Sequence, residues 1–350
     1  MHPASLTRRQ FLPLLALPFG VAPLRLAAQP EGTVYGARAD LLALAAEIAA
    51  QHPLDAAWVE QALLGARHLP SVVRLIRPAP TGAAKNWAAY RARFVEPVRI
   101  RAGVAFWREH ADALARAEAQ WGVPAAIVAG VIGVETIYGR HPGNYRVLDA
   151  LTTLALDFPA DNGRDRSAFF RAELGEFLAL CNRERLDPAT TRGSYAGAMG
   201  LPQFMPSSWS RHAVDFDGDG QVDLRGSAAD AIGSVANYLA VFGWRTGIAT
   251  HYPVTPPTEA VDRAVLLAPD ILPSFTPAEF AARGAALDEA GQGHDGRLAL
   301  VELQNGEDAP SYVAGTENFY AITRYNWSSY YAMAVIELGA TVQAVVDATR

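Results

Sequence analysis

Three stretches of this sequence carry residues that could do chemistry. The first holds Glu135, within PAAIVAGVIGVETIYG, residues 124–139. Before the carboxylate nearly every position is apolar or small, which is the pattern of a helix buried on all faces. Proline opens the run and glycine closes it, as helix boundaries require. Gly130 and Gly133 each cost about 1 kcal/mol relative to alanine inside a helix, so they predict that another backbone comes close. No Lys or Arg lies within one turn before Glu135, and only Arg140 follows closely. An unpaired carboxylate in such surroundings is driven toward its neutral form. A protonated Glu135 at neutral pH is therefore expected, which is the state a general acid needs. The competing reading is a structural Glu hydrogen-bonded to backbone or to Tyr138.

The second is AVDFDGDGQVDL, residues 213–224. Asp215, Asp217 and Asp219 alternate, Gly220 follows, and Gln221 comes next. These are positions one, three, five, six and seven of an EF-hand loop, where carboxylates, a turn glycine and a backbone carbonyl surround a hard cation. The match breaks at position twelve, which is Gly226. Asp223 stands at position nine, and Asp230 lies four residues past the usual end, so either a longer loop closes on Asp230 or the site is weak. No zinc spacing joins His141, His212 and His251, and no phosphate-binding glycine loop is present. No organic cofactor is expected.

The third is the Gly-rich GSYAGAMGLPQFMPSSW, residues 193–209. It lacks the strand and the GxSxG spacing of a serine nucleophile. Ser194 and Gln203 suit sugar hydroxyls and acetamides, with ordinary turn chemistry as the competing role. Further on, ENFYAITRYNWSSYY gathers aromatics and amides around Arg324, a composition suited to a carbohydrate cleft as well as to a core.

The elements that must hold these residues are helical. LLALAAEIAAQH stops at Pro53, and Asp55 caps the next helix. Residues 98–122 read as one long amphipathic helix ending at Gly122. Ser227 caps a helix that Gly243 stops. Residues 250–315 change texture to Pro, Gly and Val with alternating pieces, predicting a small, partly β insertion. Helix returns near Ser328.

A chain of 350 residues with net charge −6 has no basic block, which argues against nucleic acid as a partner. The single cysteine, Cys181, cannot form an internal disulfide and is expected to be buried. Thr7-Arg8-Arg9-Gln10-Phe11-Leu12 followed by LPLLALPFGVAPLRLAAQ reads as a twin-arginine export signal cut near Ala28, giving a soluble periplasmic protein. Pro13, Pro18 and Pro23 interrupt that run, so no stable membrane span is expected there, and no other candidate span stands out.

The runs GVIGVETIYGR, GSYAGAMGLPQFMPSSW with AVDFDGDG behind it, DAIGSVANYL and NFYAITRYNWSSYYAMAV resemble the lytic murein transglycosylase B family. The resemblance covers roughly Val98 to the C-terminus. It implies a mainly α fold: a lysozyme-like helical core, a helical N-terminal domain, a small β-containing insertion and an EF-hand-like loop in the core. The implied boundaries are a signal at 1–30, the N-terminal domain at 31–97, the core at 98–248, the insertion at 249–315 and a completing C-terminal helix at 316–350.

The resemblance further implies cleavage of the β-1,4 bond between N-acetylmuramic acid and N-acetylglucosamine in peptidoglycan. Glu135, in the Glu-Thr-x-aromatic-Gly motif, would be the sole acid/base and the product a 1,6-anhydromuramoyl end. Tyr138, Arg166, Ser194, Gln203, Tyr238, Tyr325, Asn326 and Tyr331 would contact substrate or hold Glu135. Only Arg166 stands where the family often has two adjacent arginines. Asp215, Asp217, Asp219, Gln221 and Asp230 would bind a structural Ca²⁺. The expected partner is the glycan strand, met by a monomer that works beside wall-synthesis or remodelling proteins. The alternative is a non-catalytic peptidoglycan-binding or scaffolding protein.

Overall fold

Alanine- and leucine-rich stretches fold as helices over most of the chain, and three small antiparallel sheets join them among the described residues. The structure is a computed structural model that describes residues 32–77, 85–159 and 165–349. The expected export signal lies outside them. The fold is mainly α, as anticipated.

The described chain divides into two compact units. One contains residues 32–77 and 135–237, and the other residues 85–134 and 238–349. The divisions fall inside two helices, Ala125–Thr136 and Ala228–Val241.

In the unit of residues 85–134 and 238–349, the expected long helix is two, Pro97–Glu109 and Ala111–Trp121, broken at His110. His110 takes φ −117 and ψ 26, outside helical geometry, while its ring still packs edge-on against Phe106 one turn back at 4.6 Å. Gly122 then takes φ +67, and the chain turns by 117° into Ala125–Thr136. The left-handed glycine ends the first helix because a side chain there would be strained.

Through residue 134 the helix Ala125–Thr136 is buried at every position. The expected close approach is real at Gly130, where a methyl group would collide with the carbonyl oxygen of Val335. The converse holds at Gly339, where a methyl would meet the carbonyl of Ala126. Gly133 serves otherwise: its carbonyl accepts from Arg99 Nε at 2.9 Å.

The partner in this crossing is Ser329–Ala348, capped by Ser328, whose hydroxyl accepts from Tyr331 N. This helix corrects the expectation that no other candidate span exists. It is long and apolar enough to cross a membrane by length and composition, yet half of its apolar window is already buried inside the protein. Its hydropathy reflects core packing of Val335, Leu338 and Val342.

The insertion forms a four-stranded antiparallel sheet. Its strands His251–Thr255, Ala286–Leu287, Ala299–Asn305 and Asp308–Gly315 lie in the order second, first, fourth, third. Leu266, Phe280, Leu298 and Leu300 form the core beneath it. Three short helices, Ala260–Leu267, Pro277–Ala282 and Glu289–Gln292, interrupt the strands.

In the other unit, Asp55 caps Ala56–Leu64 by accepting from Trp58 N at 2.8 Å. Val147–Leu156 and Ser167–Arg183 are the first two helices that follow Glu135 in this unit. Cys181 is buried, as expected.

Candidate active site

In the unit of residues 32–77 and 135–237, Glu135 stands one residue before the end of its helix and is half-buried. The helix stops at Thr136, three residues before the glycine expected to end it. Ile137, Tyr138 and Gly139 then take φ of 52°, 56° and 85°. Left-handed backbone costs a β-branched residue most, so this turn is strained and must be held from outside. Thr136 supplies part of the hold. Its fully buried hydroxyl donates to the Leu201 carbonyl at 2.8 Å and accepts from Gly139 N at 2.9 Å. His141 N donates to the Thr136 carbonyl at 2.9 Å.

The Gly-rich loop is laced by its own backbone. Met199 N donates to Phe204 O at 2.8 Å, and Phe204 N returns the bond at 3.0 Å. Leu201 N donates to Leu224 O at 2.8 Å. Gln203 has φ +50, and its amide nitrogen donates to Pro142 O at 3.0 Å and Gly200 O at 2.9 Å. An amide has two N–H donors, so both are used within the protein and only the side-chain oxygen is left for a ligand. Ser194 Oγ accepts from Ala198 N at 3.0 Å and Ala196 N at 3.3 Å, and its O–H has no acceptor among the described residues, so it can donate to a ligand.

Sequence reasoning missed Glu173. This residue is 4% exposed and projects from Ser167–Arg183. Its carboxylate accepts from Ser207 N at 3.0 Å and Ser207 Oγ at 2.6 Å, fixing the start of Pro206–His212 directly after the loop. Burial pushes its pKa up, and the Ser207 bonds oppose the rise. A charged residue in the otherwise apolar face of FFRAELGEFL was the available signal. Arg166 stands at the N-terminus of the same helix, its guanidinium 4.7 Å from the Phe169 ring centre and 5.4 Å from that of Phe170. Burial lowers its pKa, opposed by the charges of Tyr195 and Glu173.

The acidic loop brings Asp215, Asp217 and Asp230 together, with one carboxylate oxygen of each within 4.8 Å of the others. This triad could bind a metal. Gly218 and Gly220 take φ of 80° and 88°, folding the chain so that Gly218 N and Gly220 N donate to Asp215 at 2.7 and 2.8 Å. Asp230 is 1% exposed. Its carboxylate accepts from Phe216 N and Asp223 N, both at 2.8 Å, and from Asp217 N at 3.3 Å. Three hydrogen bonds serve a carboxylate whose pKa burial raises, so a cation beside it would relieve the remaining cost. Asp219 stays outside the triad and accepts from Gln221 N at 2.8 Å.

In the unit of residues 85–134 and 238–349, the remaining residues form an aromatic ladder. Tyr238 meets Tyr325 edge-on at 4.9 Å, and Tyr325 stacks on Tyr331 at 6.2 Å. Tyr238 OH donates to Arg324 O at 2.8 Å. The side-chain oxygen of Asn326 is buried without a hydrogen-bond partner among the described residues, so it can accept a donor from a ligand.

Comparison with known proteins shows the family and the fold. Residues 37–340 match the model of a family described as transglycosylase SLT domain. The membrane-bound lytic murein transglycosylase B of Escherichia coli (strain K12) is 40% identical over 300 residues, covering 83% of this chain and 79% of that one. The E. coli lytic transglycosylase Slt35 in complex with calcium superposes with TM-score 0.77 and 36% identity, covering 92% of this chain and 98% of that one. SltB3 from Pseudomonas aeruginosa in complex with NAG-anhNAM-pentapeptide superposes with TM-score 0.74 and 31% identity, covering 87% and 78%.

Proposed function

The chain belongs to the transglycosylase SLT domain family, and on that premise we propose that Glu135 alone serves as its acid and base. The protein is a lytic murein transglycosylase acting on peptidoglycan, a lyase. Its bond is the β-1,4 link between N-acetylmuramic acid and N-acetylglucosamine. Protonated Glu135 gives its proton to the bridging oxygen as that bond breaks. The substrate's own acetamide supports the cation developing at the muramoyl C1. The Glu135 carboxylate then takes the proton of the muramoyl C6 hydroxyl, whose oxygen bonds to C1 and closes a 1,6-anhydro ring. One proton is lent and one recovered, and no water is consumed.

The observation that carries this reading is the setting of Glu135, at the end of a helix buried through residue 134 and before a strained turn held by Thr136. Ser194 and Arg166 contact substrate in that unit, with Gln203 accepting through its oxygen and Tyr138 flanking the acid. Tyr238, Tyr325, Asn326 and Tyr331 contact substrate within theirs, the Asn326 oxygen being the acceptor in waiting. Asp215, Asp217 and Asp230 would hold a Ca²⁺ ion, with Asp219 and the Gln221 carbonyl as further candidate ligands, and the ion would order the loop that ends at Leu224 without joining the chemistry. The protein works as a periplasmic monomer on glycan strands, exported by the twin-arginine route.

The test is Glu135→Gln on isolated cell-wall sacculi. The variant should keep its fold and lose about 10²–10⁴-fold of its rate, the usual range for general acid–base catalysis. Mass spectrometry of wild-type products should find 1,6-anhydromuramoyl ends. Reducing muramoyl ends would make the protein a hydrolase, and binding without turnover would make it a scaffold.

A further inference from the structure

Strand Ala299–Asn305 is the outer strand of the four-stranded sheet, and part of its free edge has no partner. The register fixes which residues face outward. Residues 299, 301 and 303 lie opposite 315, 313 and 311 of the neighbouring strand. On that neighbour's other side, Thr316 N donates to Thr250 O, and Pro253, which has no N–H, lies opposite Val313. The neighbour's even-numbered residues therefore bond toward His251–Thr255 and its odd-numbered ones toward Ala299–Asn305. In the outer strand the even-numbered residues must point their N–H and C=O groups away from the sheet.

Both ends of the strand agree with this phase. Leu298 N donates to Phe275 O at 2.7 Å, and Tyr330 OH donates to Gln304 O at 2.9 Å. Between them, Leu300 and Glu302 have no main-chain partner on that side among the described residues. Leu300 is wholly buried, and buried main-chain polar groups are nearly always satisfied. These two residues help to line a cavity of about 210 Å³ whose walls also include Lys85, Asp270, Ser329 and Tyr330. Lys85 makes no ion pair, and the Asp270 carboxylate accepts no hydrogen bond, among the described residues. The Glu302 carboxylate is steadied by Tyr312 OH at 2.7 Å.

We propose that this cavity binds a short peptide with a free amine and free carboxylates, laid as an added strand against Leu300 and Glu302. Main-chain bonding to an open edge supplies the register of such a peptide. Lys85 faces its carboxylate, and Asp270 and Glu302 face its amine. The wall polymer's peptide stem is the occupant, a choice that rests on the peptidoglycan reading above.

The probe is the pentapeptide stem released from peptidoglycan, added to the mature chain. Hydrogen exchange of the Leu300 and Glu302 amides should slow about tenfold when the peptide is bound. Affinity should fall about fivefold in Lys85→Ala and in Asp270→Asn, each losing one exposed ion pair. Anhydro-product formation from stem-free glycan strands should not change in either variant. Unaltered exchange at millimolar peptide, or wild-type affinity in both variants, overturns the proposal and leaves water in the cavity. Activity on stem-free strands separately reports the catalytic reading, so the two can fail independently.

Discussion

The Thr136 hydroxyl lies 2.8 Å from the Leu201 carbonyl oxygen, so the residue after Glu135 holds the loop that carries Gln203. The same hydroxyl accepts from Gly139 N, so one side chain secures both the loop and the left-handed turn. Thr136→Val keeps the shape and removes both bonds, leaving the part-buried Leu201 carbonyl and Gly139 N–H without this partner at a cost of about 1–3 kcal/mol. Turnover on sacculi should fall more than substrate affinity, and Thr136→Ser should restore most of it. Loss of affinity with unchanged turnover would contradict the positioning role.

Two glycines test two different reasons for having no side chain. At Gly130 an added methyl meets the main-chain carbonyl of Val335, which cannot swing away, so Gly130→Ala should cost about 1–3 kcal/mol by overpacking. At Gly218 there is open space but φ is +80, so Gly218→Ala should cost about 1–2 kcal/mol through backbone strain alone. Denaturant titration measures both. Gly130→Ala as stable as wild type would refute the close helix crossing.

Glu173 should make stability depend on pH. Burial raises its folded-state pKa above the ordinary 4.5, so the native state binds the proton more tightly than the unfolded chain does. Stability from this group is therefore full below about pH 4.5 and declines as pH rises through the raised folded value. Glu173→Gln removes the titration and keeps an oxygen for Ser207. Its melting temperature relative to wild type should climb between about pH 4 and pH 7. A constant difference would show that the carboxylate is not strained by burial.

The acidic triad should bind calcium tightly enough to register thermally. At free ion one hundred times Kd, binding stabilises the fold by about 2.7 kcal/mol. A chelator should then lower the wild-type melting temperature by a few degrees and leave Asp217→Asn nearly unmoved. Equal response of the two proteins would remove Asp217 from the site.

Much was legible in the sequence because it depends on neighbours in the chain. Asp55, Ser227 and Ser328 cap helices within three residues of themselves. Gly122 and Gly243 stop helices through their own dihedral freedom. The alternating aspartates mark an acidic loop that could bind a metal, and the buried helix declares itself by lacking a polar face. Tertiary structure alone decided what those residues meet. It kept Asp219 outside the triad and placed Asp230 inside, because a buried carboxylate collecting three backbone N–H groups depends on how the loop folds back. It spent both Gln203 donors on Pro142 and Gly200, and ended the helix at Thr136 because a bond to Leu201, sixty-five residues away, holds a turn that local preference would reject. Spacing along the chain specifies periodicity and caps, whereas a contact between distant residues has no local pattern from which to be read.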